Sequence, residues 1–66
     1  MTKHQAIAEM MSGKKVTHRY FTSDEFLFMK GDFRIYTEDN VYCNEEFWNL
    51  RKEKEWENDW EIYNEN

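Results

Sequence analysis

The stretch NDWEIY, residues 58–63, decides how the fold is read, because it places a strand pattern close to the last residue of the sequence. Trp60 and Ile62 share one parity, while Glu61 and Tyr63 share the other. This alternation has the period of a strand with one buried face. We therefore predict that the chain closes on a strand that fills the free edge of the first predicted strand and presses Trp60 and Ile62 onto a core.

The sequence before this strand begins with a helix pattern at residues 2–13. Thr2 and Gln5 have the spacing of a capping box, and Gly13 suits the left-handed residue that ends many helices. Three apolar residues recur at helical spacing and predict one apolar stripe: Ile7, Met10 and Met11.

Between the two ends, the pattern predicts an antiparallel meander and a second helix. The predicted strands are KKVTHRYF (14–21), EFLFMK (25–30), FRIYT (33–37) and VYC (41–43). We expect positive φ at Gly31, in the turn between the second and third of these. NEEFWNLRKEKEW (44–56) reads as a helix with Asn44 as its N-cap. The fold class is then α+β: an N-terminal helix, an antiparallel sheet of about five strands, and a second helix before the last strand.

The length and composition limit how this fold is stabilised. Sixty-six residues predict a single domain, 1–66, that buries only about 60% of its unfolded surface. The one cysteine, Cys43, excludes an intrachain disulfide. Five Phe, four Tyr and three Trp supply dense aromatic packing instead. A small domain without disulfides or bound metal ions often self-associates, so we expect a homo-oligomer.

Charge and hydropathy restrict the location and the partners. No apolar run approaches the roughly 20 residues of a membrane span, and a lone thiol suits a reducing compartment, so we expect a cytoplasmic protein. Residues 1–37 hold six Lys/Arg against four Asp/Glu, and residues 38–66 hold three against ten. The net charge of −5 argues against direct binding of nucleic acid. It leaves room for a small anionic ligand near the basic N-terminal half.

Candidate binding residues cluster in the first predicted strand. Lys14, Lys15 and Arg19 can bind a phosphate, although a solvated basic strand face has the same composition. Four flat side chains can stack on a base, although core packing explains each equally well: Phe21, Trp48, Trp56 and Tyr63. Strict alternation would put Arg19 and Phe21 on one face of the strand. No arrangement of acids, His or Cys suggests catalysis, a metal site or a cofactor, so we expect a non-enzymatic protein.

Two stretches, QAIAEMMSGKKVTHRYF (5–21) and NDWEIY (58–63), resemble the small phage proteins of the Thoeris anti-defence sponge family. Those proteins open with an amphipathic helix that runs into G-K-K-V and close with D-W-E followed by a hydrophobic residue. The direct match covers about a third of the chain. It adds Trp60 of the closing motif to the candidate ligand-binding set of Lys14, Lys15, Arg19 and Phe21.

The resemblance implies a phage or prophage protein that works in the host cytoplasm without catalysing a reaction. Members of that family bind nucleotide-derived immune signals, such as cyclic ADP-ribose isomers, between subunits of a homo-oligomer, and so block host defence. The alternative interpretation is a small acidic interaction protein that inhibits a host or phage nucleic-acid-processing protein, in the manner of anti-CRISPR or DNA-mimic proteins. In that case the acidic run 53–61 would bind a basic groove on the target.

Overall fold

The computed structural model describes residues 1–31, 33–44, 47 and 53–64. Within these ranges the chain forms one α-helix and four short strands, numbered here in chain order. Their bounds are α1 Lys3–Met11, β1 Val16–His18, β2 Leu27–Met29, β3 Ile35–Thr37 and β4 Trp60–Ile62. A 3-10 turn, Lys54–Trp56, precedes β4.

The strands form one antiparallel sheet in the order β3-β2-β1-β4. The terminal strand β4 pairs with β1 in the register Val16↔Ile62, Thr17↔Glu61 and His18↔Trp60. The prediction that NDWEIY closes the free edge of the first strand is therefore confirmed, as is the α+β class. β2 lies inside the sheet, which agrees with its apolar residues on both faces.

Both outer edges of the sheet have backbone partners. Beside β3, the predicted strand at 41–43 contributes only an isolated bridge, Tyr36↔Tyr42, and two flanking hydrogen bonds. The described sheet consequently has four strands where about five were expected. Beside β4, the N–H of Trp60 donates to the carbonyl of Met1 at 3.0 Å. These contacts occupy part of the backbone groups that the edge strands present to another chain.

Helix α1 begins and ends as predicted, and its predicted apolar stripe contacts the core except at Met11. The capping box between Thr2 and Gln5 is present in both directions, and Gly13 has φ +96°. Its buried residues are Lys3, Ala6 and Met10, while Met11 is 57% exposed. Ile7 is partly buried and packs against the core, so two of the three predicted apolar residues contact it. Lys3, at the other end of the helix, is buried with its ammonium 4.8 Å above the Phe47 ring.

One predicted turn residue and one predicted helix cap have other roles in the structure. The left-handed residue after β2 is Phe33, with φ +63°, rather than Gly31. The Asn44 side chain accepts a hydrogen bond from the Ile35 N–H, so it serves β3 rather than a helix end. Most of the predicted second helix, residues 45–46 and 48–52, lies outside the described residues, and its last turn, Lys54–Trp56, is a 3-10 turn.

The core lies between α1 and one face of the sheet, where the helix contacts β1, β2 and β4. Trp60 is its largest side chain and is fully buried. The buried apolar residues are Ala6, Met10, Val16, Leu27, Ile35, Cys43, Phe47 and Trp60. In the described part of the chain, no helix has the length and apolarity needed to cross a membrane.

Candidate functional site

A surface cleft of about 280 Å³ lies where the chain enters β1 and leaves β4. One wall comes from the segment after α1 and the other from the C-terminal end of β4. The lining residues are Gly13, Lys14, Lys15, Ile62, Tyr63 and Asn64. The two stretches that carry the family resemblance therefore meet at this place.

Strand pairing and the helix end fix the two walls against each other. Opposite Val16 stands Ile62, and the N–H of Tyr63 donates to the carbonyl of Lys15 at 2.9 Å. The positive φ of Gly13 turns the chain out of α1, and the N–H of Lys14 then donates to the carbonyl of Glu9 at 3.1 Å. The helix end is thereby capped, with its carbonyl groups engaged by the backbone.

The cleft combines positive charge with aromatic rings. The Lys14 ammonium lies 3.2 Å from the Glu9 carboxylate, and both side chains are partly exposed to water. The Lys15 ammonium lies 4.7 Å above the Phe26 ring, whose centroid is 4.6 Å from that of Tyr63. Two lysines and the Tyr63 ring thus line the cleft, and an anionic ligand with a flat ring would suit these groups.

Arg19 and Phe21 do not join this cleft. The strand β1 ends at His18, and the N–H of Phe21 donates to the carbonyl of His18 at 2.9 Å in a turn. The expectation that the two side chains share a strand face was therefore wrong. The Arg19 side chain is 72% exposed and lies 3.9 Å from Asp59. Phe21 packs against the core beside Trp56 and Trp60.

Trp60 is also remote from any surface, since it is 0% exposed. Its indole N–H donates to the carbonyl of Trp56 at 2.8 Å. Of the five candidate ligand-binding residues, only Lys14 and Lys15 line the cleft. Asn64 was missed by sequence reasoning, and Tyr63 was one of four stacking candidates. The parity of Tyr63, combined with the predicted β1–β4 pairing, would have placed it beside Lys15.

His18, the last residue of β1, has a structural role. It is 3% exposed, and its Nδ1 accepts the N–H of Tyr20 at 3.1 Å. Its Nε2 lies 3.1 Å and 2.8 Å from the carbonyl oxygens of Glu55 and Asn58, which suits the tautomer protonated at Nε2. The ring also contacts both Trp56 and Trp60, at 4.4 Å and 4.8 Å between centroids. His18 thus fastens the segment before β4 onto β1.

Within residues 1–31, 33–44, 47 and 53–64, no group of three or more His, Cys, Asp or Glu side chains is arranged to hold a metal ion. Comparison with protein-family models, with curated proteins and with solved structures found no match for this chain.

Proposed function

We propose that this is a non-enzymatic protein that sequesters a small anionic, nucleotide-like ligand in the cleft between Gly13–Lys15 and Ile62–Asn64. The observation that carries the proposal is the meeting of the two motif stretches there. GKKV and DWEI are far apart in the sequence, yet Val16 and Ile62 are direct partners in the sheet. The residues beside this pair supply the cations and the ring of the cleft.

The side chains of the cleft match the parts of a nucleotide. Lys14 and Lys15 supply charge-assisted hydrogen bonds to phosphate oxygens. The Tyr63 ring offers a face for a base and its hydroxyl offers a donor, while the Asn64 amide can both donate and accept. These groups bind and orient a ligand, and the proposal assigns them no bond-breaking step.

The biological setting of the proposal comes from the resemblance to the phage Thoeris anti-defence sponges. On this view the protein is encoded by a phage or prophage, acts in the host cytoplasm and removes a signalling molecule of the host's defence. The cleft is open to solvent on one side. A second copy in a homo-oligomer would close that side and increase the buried surface of the ligand.

The test is ligand binding by the intact chain and by matched lysine variants. Purified protein is mixed with a panel of ADP-ribose isomers and cyclic di- and trinucleotides, and thermal shift and calorimetry are recorded. We expect one class of nucleotide in this panel to bind to the wild-type protein. Lys14→Ala should weaken it about tenfold or more, because a charge-assisted hydrogen bond is worth about 1.5–3 kcal/mol. Lys54→Ala, an exposed cation outside the cleft, is the control.

The ion pair within the cleft gives a second, opposite test. Glu9 holds the Lys14 ammonium at 3.2 Å and reduces the positive charge that a ligand meets. Glu9→Gln should therefore tighten binding of the same ligand. Equal affinities for wild type, Lys14→Ala and Glu9→Gln would show that the ligand binds elsewhere. Absence of binding across the whole panel, with a monomer and no bound small molecule in native mass spectrometry, would contradict the proposal.

One observation favours the second candidate, an acidic protein that inhibits a nucleic-acid-processing partner. Glu53, Glu55, Glu57, Asp59 and Glu61 are all exposed in the segment that leads into β4. A side-chain hydrogen bond with Glu55 and repulsion from its charge raise the pKa of Glu53. Crowded carboxylates of this kind suit a basic groove. Stoichiometric recovery of one such partner from lysate, lost in Glu55→Gln and Glu57→Gln, would favour this function.

A further inference from the structure

The face of the sheet that points away from α1 carries a continuous row of aromatic rings. Strand alternation directs Val16, Leu27 and Trp60 towards the core, so their neighbours Phe26, Phe28 and Glu61 lie on the other face. We call this face, with its rings and cations, the outer face. Its rings are Tyr63, Phe26, Phe28, Tyr36 and Tyr42.

The five rings follow one another at close and similar spacing across the sheet. The centroids of Tyr63 and Phe26 are 4.6 Å apart, and those of Phe26 and Phe28 are 6.1 Å apart. Phe28 stacks on Tyr36 at 5.9 Å, and Tyr36 contacts Tyr42 at 5.8 Å. All five are half-buried or exposed, so ring surface remains accessible along the whole row.

Three cations lie over this row. The Lys15 ammonium is 4.7 Å from the Phe26 centroid, and the Lys30 ammonium is 4.3 Å from that of Tyr36. The Arg34 guanidinium is 5.7 Å from the ring of Tyr42. Lysine and arginine side chains are long enough to hold a phosphate beside a ring once a base occupies the ring face.

Three cations contact the rings of the outer face, although the chain as a whole carries a net charge of −5. Strand alternation places one acidic residue of the strands, Glu61, on the same face. A second copy packed face to face would bring like charges together at Lys15, Lys30 and Arg34. An anionic chain with flat bases meets complementary charge instead. Backbone contacts already occupy part of both sheet edges, so we expect a ligand of this region to bind to the face rather than to add a strand.

We propose that the outer face binds single-stranded nucleic acid, with successive bases on the aromatic row and phosphates at the three cations. The site is separate from the ligand-binding proposal except at Lys15 and Tyr63, which border both. Sequence-tolerant binding is expected, because every base has a face that can stack on a ring. Affinity should fall as salt rises, since each neutralised phosphate releases a counterion.

The experiment is fluorescence anisotropy with labelled twelve-nucleotide dT and rU at low and at physiological salt, with duplex DNA as a comparison. Wild type should bind both single strands and prefer them to duplex. Tyr36→Leu, which keeps apolar volume but removes the ring, should weaken binding about tenfold. Tyr42→Ala and Lys30→Ala should also weaken it. The controls are Phe33→Ala, an equally accessible ring outside the row, and Lys54→Ala; both should bind as wild type does.

Two outcomes would overturn the proposal. The first is the absence of single-strand binding at low salt by a folded wild-type protein. The second is dissociation of a wild-type oligomer by Tyr42→Ala without any nucleic-acid binding, which would assign the face to a second copy. Lys14→Ala separates the two proposed sites, because it should impair binding of the small ligand and leave single-strand binding unchanged.

Discussion

The two faces of the sheet use the same kinds of side chain for different purposes. On the inner face, Trp60 and Phe47 are fully buried, with centroids 5.6 Å apart, and His18 finds partners for both ring nitrogens. On the outer face, rings such as Tyr42 stay accessible and cations lie over them. Aromatic content alone therefore does not separate a core from a binding surface. What separates them is exposure to water, since Trp60 and Phe47 are fully buried whereas Tyr42 is 50% exposed.

The inner face should dominate stability. Trp60→Ala removes the largest buried side chain and the hydrogen bond from its indole to Trp56. A loss of about 3–5 kcal/mol is expected, comparable to the whole stability of a domain of this size. Circular dichroism at 25 °C should show a largely unfolded variant.

Tyr42→Ala is the matched change on the outer face. This ring is 50% exposed and contacts Tyr36 and the Arg34 guanidinium at the surface, so its loss should cost less than about 1 kcal/mol. Similar melting temperatures for Trp60→Ala and Tyr42→Ala would contradict the expectation that the inner face contributes most of the stability.

His18→Ala tests the polar part of the inner face and should rank second. It leaves the Tyr20 N–H and the carbonyls of Glu55 and Asn58 without their partner. An expected loss of about 2–3 kcal/mol follows, which for this chain length lowers the melting temperature by roughly 10 °C or more. His4→Ala, the other histidine, is exposed and should melt as the wild type does. A stable His18→Ala variant would show that the ring does not fasten the segment before β4.

The sequence predicted the class of fold because its strongest signals are local. The capping box at Thr2, the turn at Gly13 and the alternation around Trp60 each depend on a few neighbouring residues. The pairing of β4 with β1 was predicted because the meander leaves one side of its first strand without a partner. These signals were sufficient to bring the two motif stretches together.

The remaining errors have tertiary causes. Strand alternation was extended past His18, but a turn hydrogen bond from Phe21 ends β1 there and separates Arg19 from its expected face. Met11, the last residue of α1, is 57% exposed, whereas Lys3 is buried against a ring in a distant segment that local periodicity does not reveal. The outer row arises from Tyr63, Phe26 and Tyr36, which meet only when the strands are aligned.

The left-handed backbone at the start of β4 allows a test of a smaller contribution to stability. Asp59 has φ +70°, a left-handed conformation that Asp tolerates better than a branched residue does. Asp59→Val should cost about 1–2 kcal/mol in chemical denaturation. Asp59→Gly, which relieves the strain, should be close to neutral. If both variants lose equal stability, the Arg19 contact at 3.9 Å matters more than the backbone.

The smallest effect is expected outside both faces, at the acidic segment, and it depends on pH. The hydrogen bond with Glu55 and repulsion from its charge raise the pKa of Glu53 in the folded protein. A raised folded-state pKa means that the folded protein holds this proton more tightly than the unfolded chain does. The favourable contribution is therefore present below the ordinary Glu range, about 4.3, and is lost as pH rises through the raised value.

Glu53→Gln should remove this loss of stability at higher pH, because a neutral amide keeps a hydrogen-bond donor towards Glu55 without a second negative charge. The variant should melt slightly above wild type at pH 7 and match it below the ordinary Glu range. The gain should be small, since both carboxylates are exposed and water screens their repulsion. Glu57→Gln, a nearby exposed carboxylate that is not one of the two partners, is the control. If Glu53→Gln and Glu57→Gln raise the melting temperature equally at pH 7, the gain reflects overall negative charge, and the Glu53–Glu55 pair has no specific role.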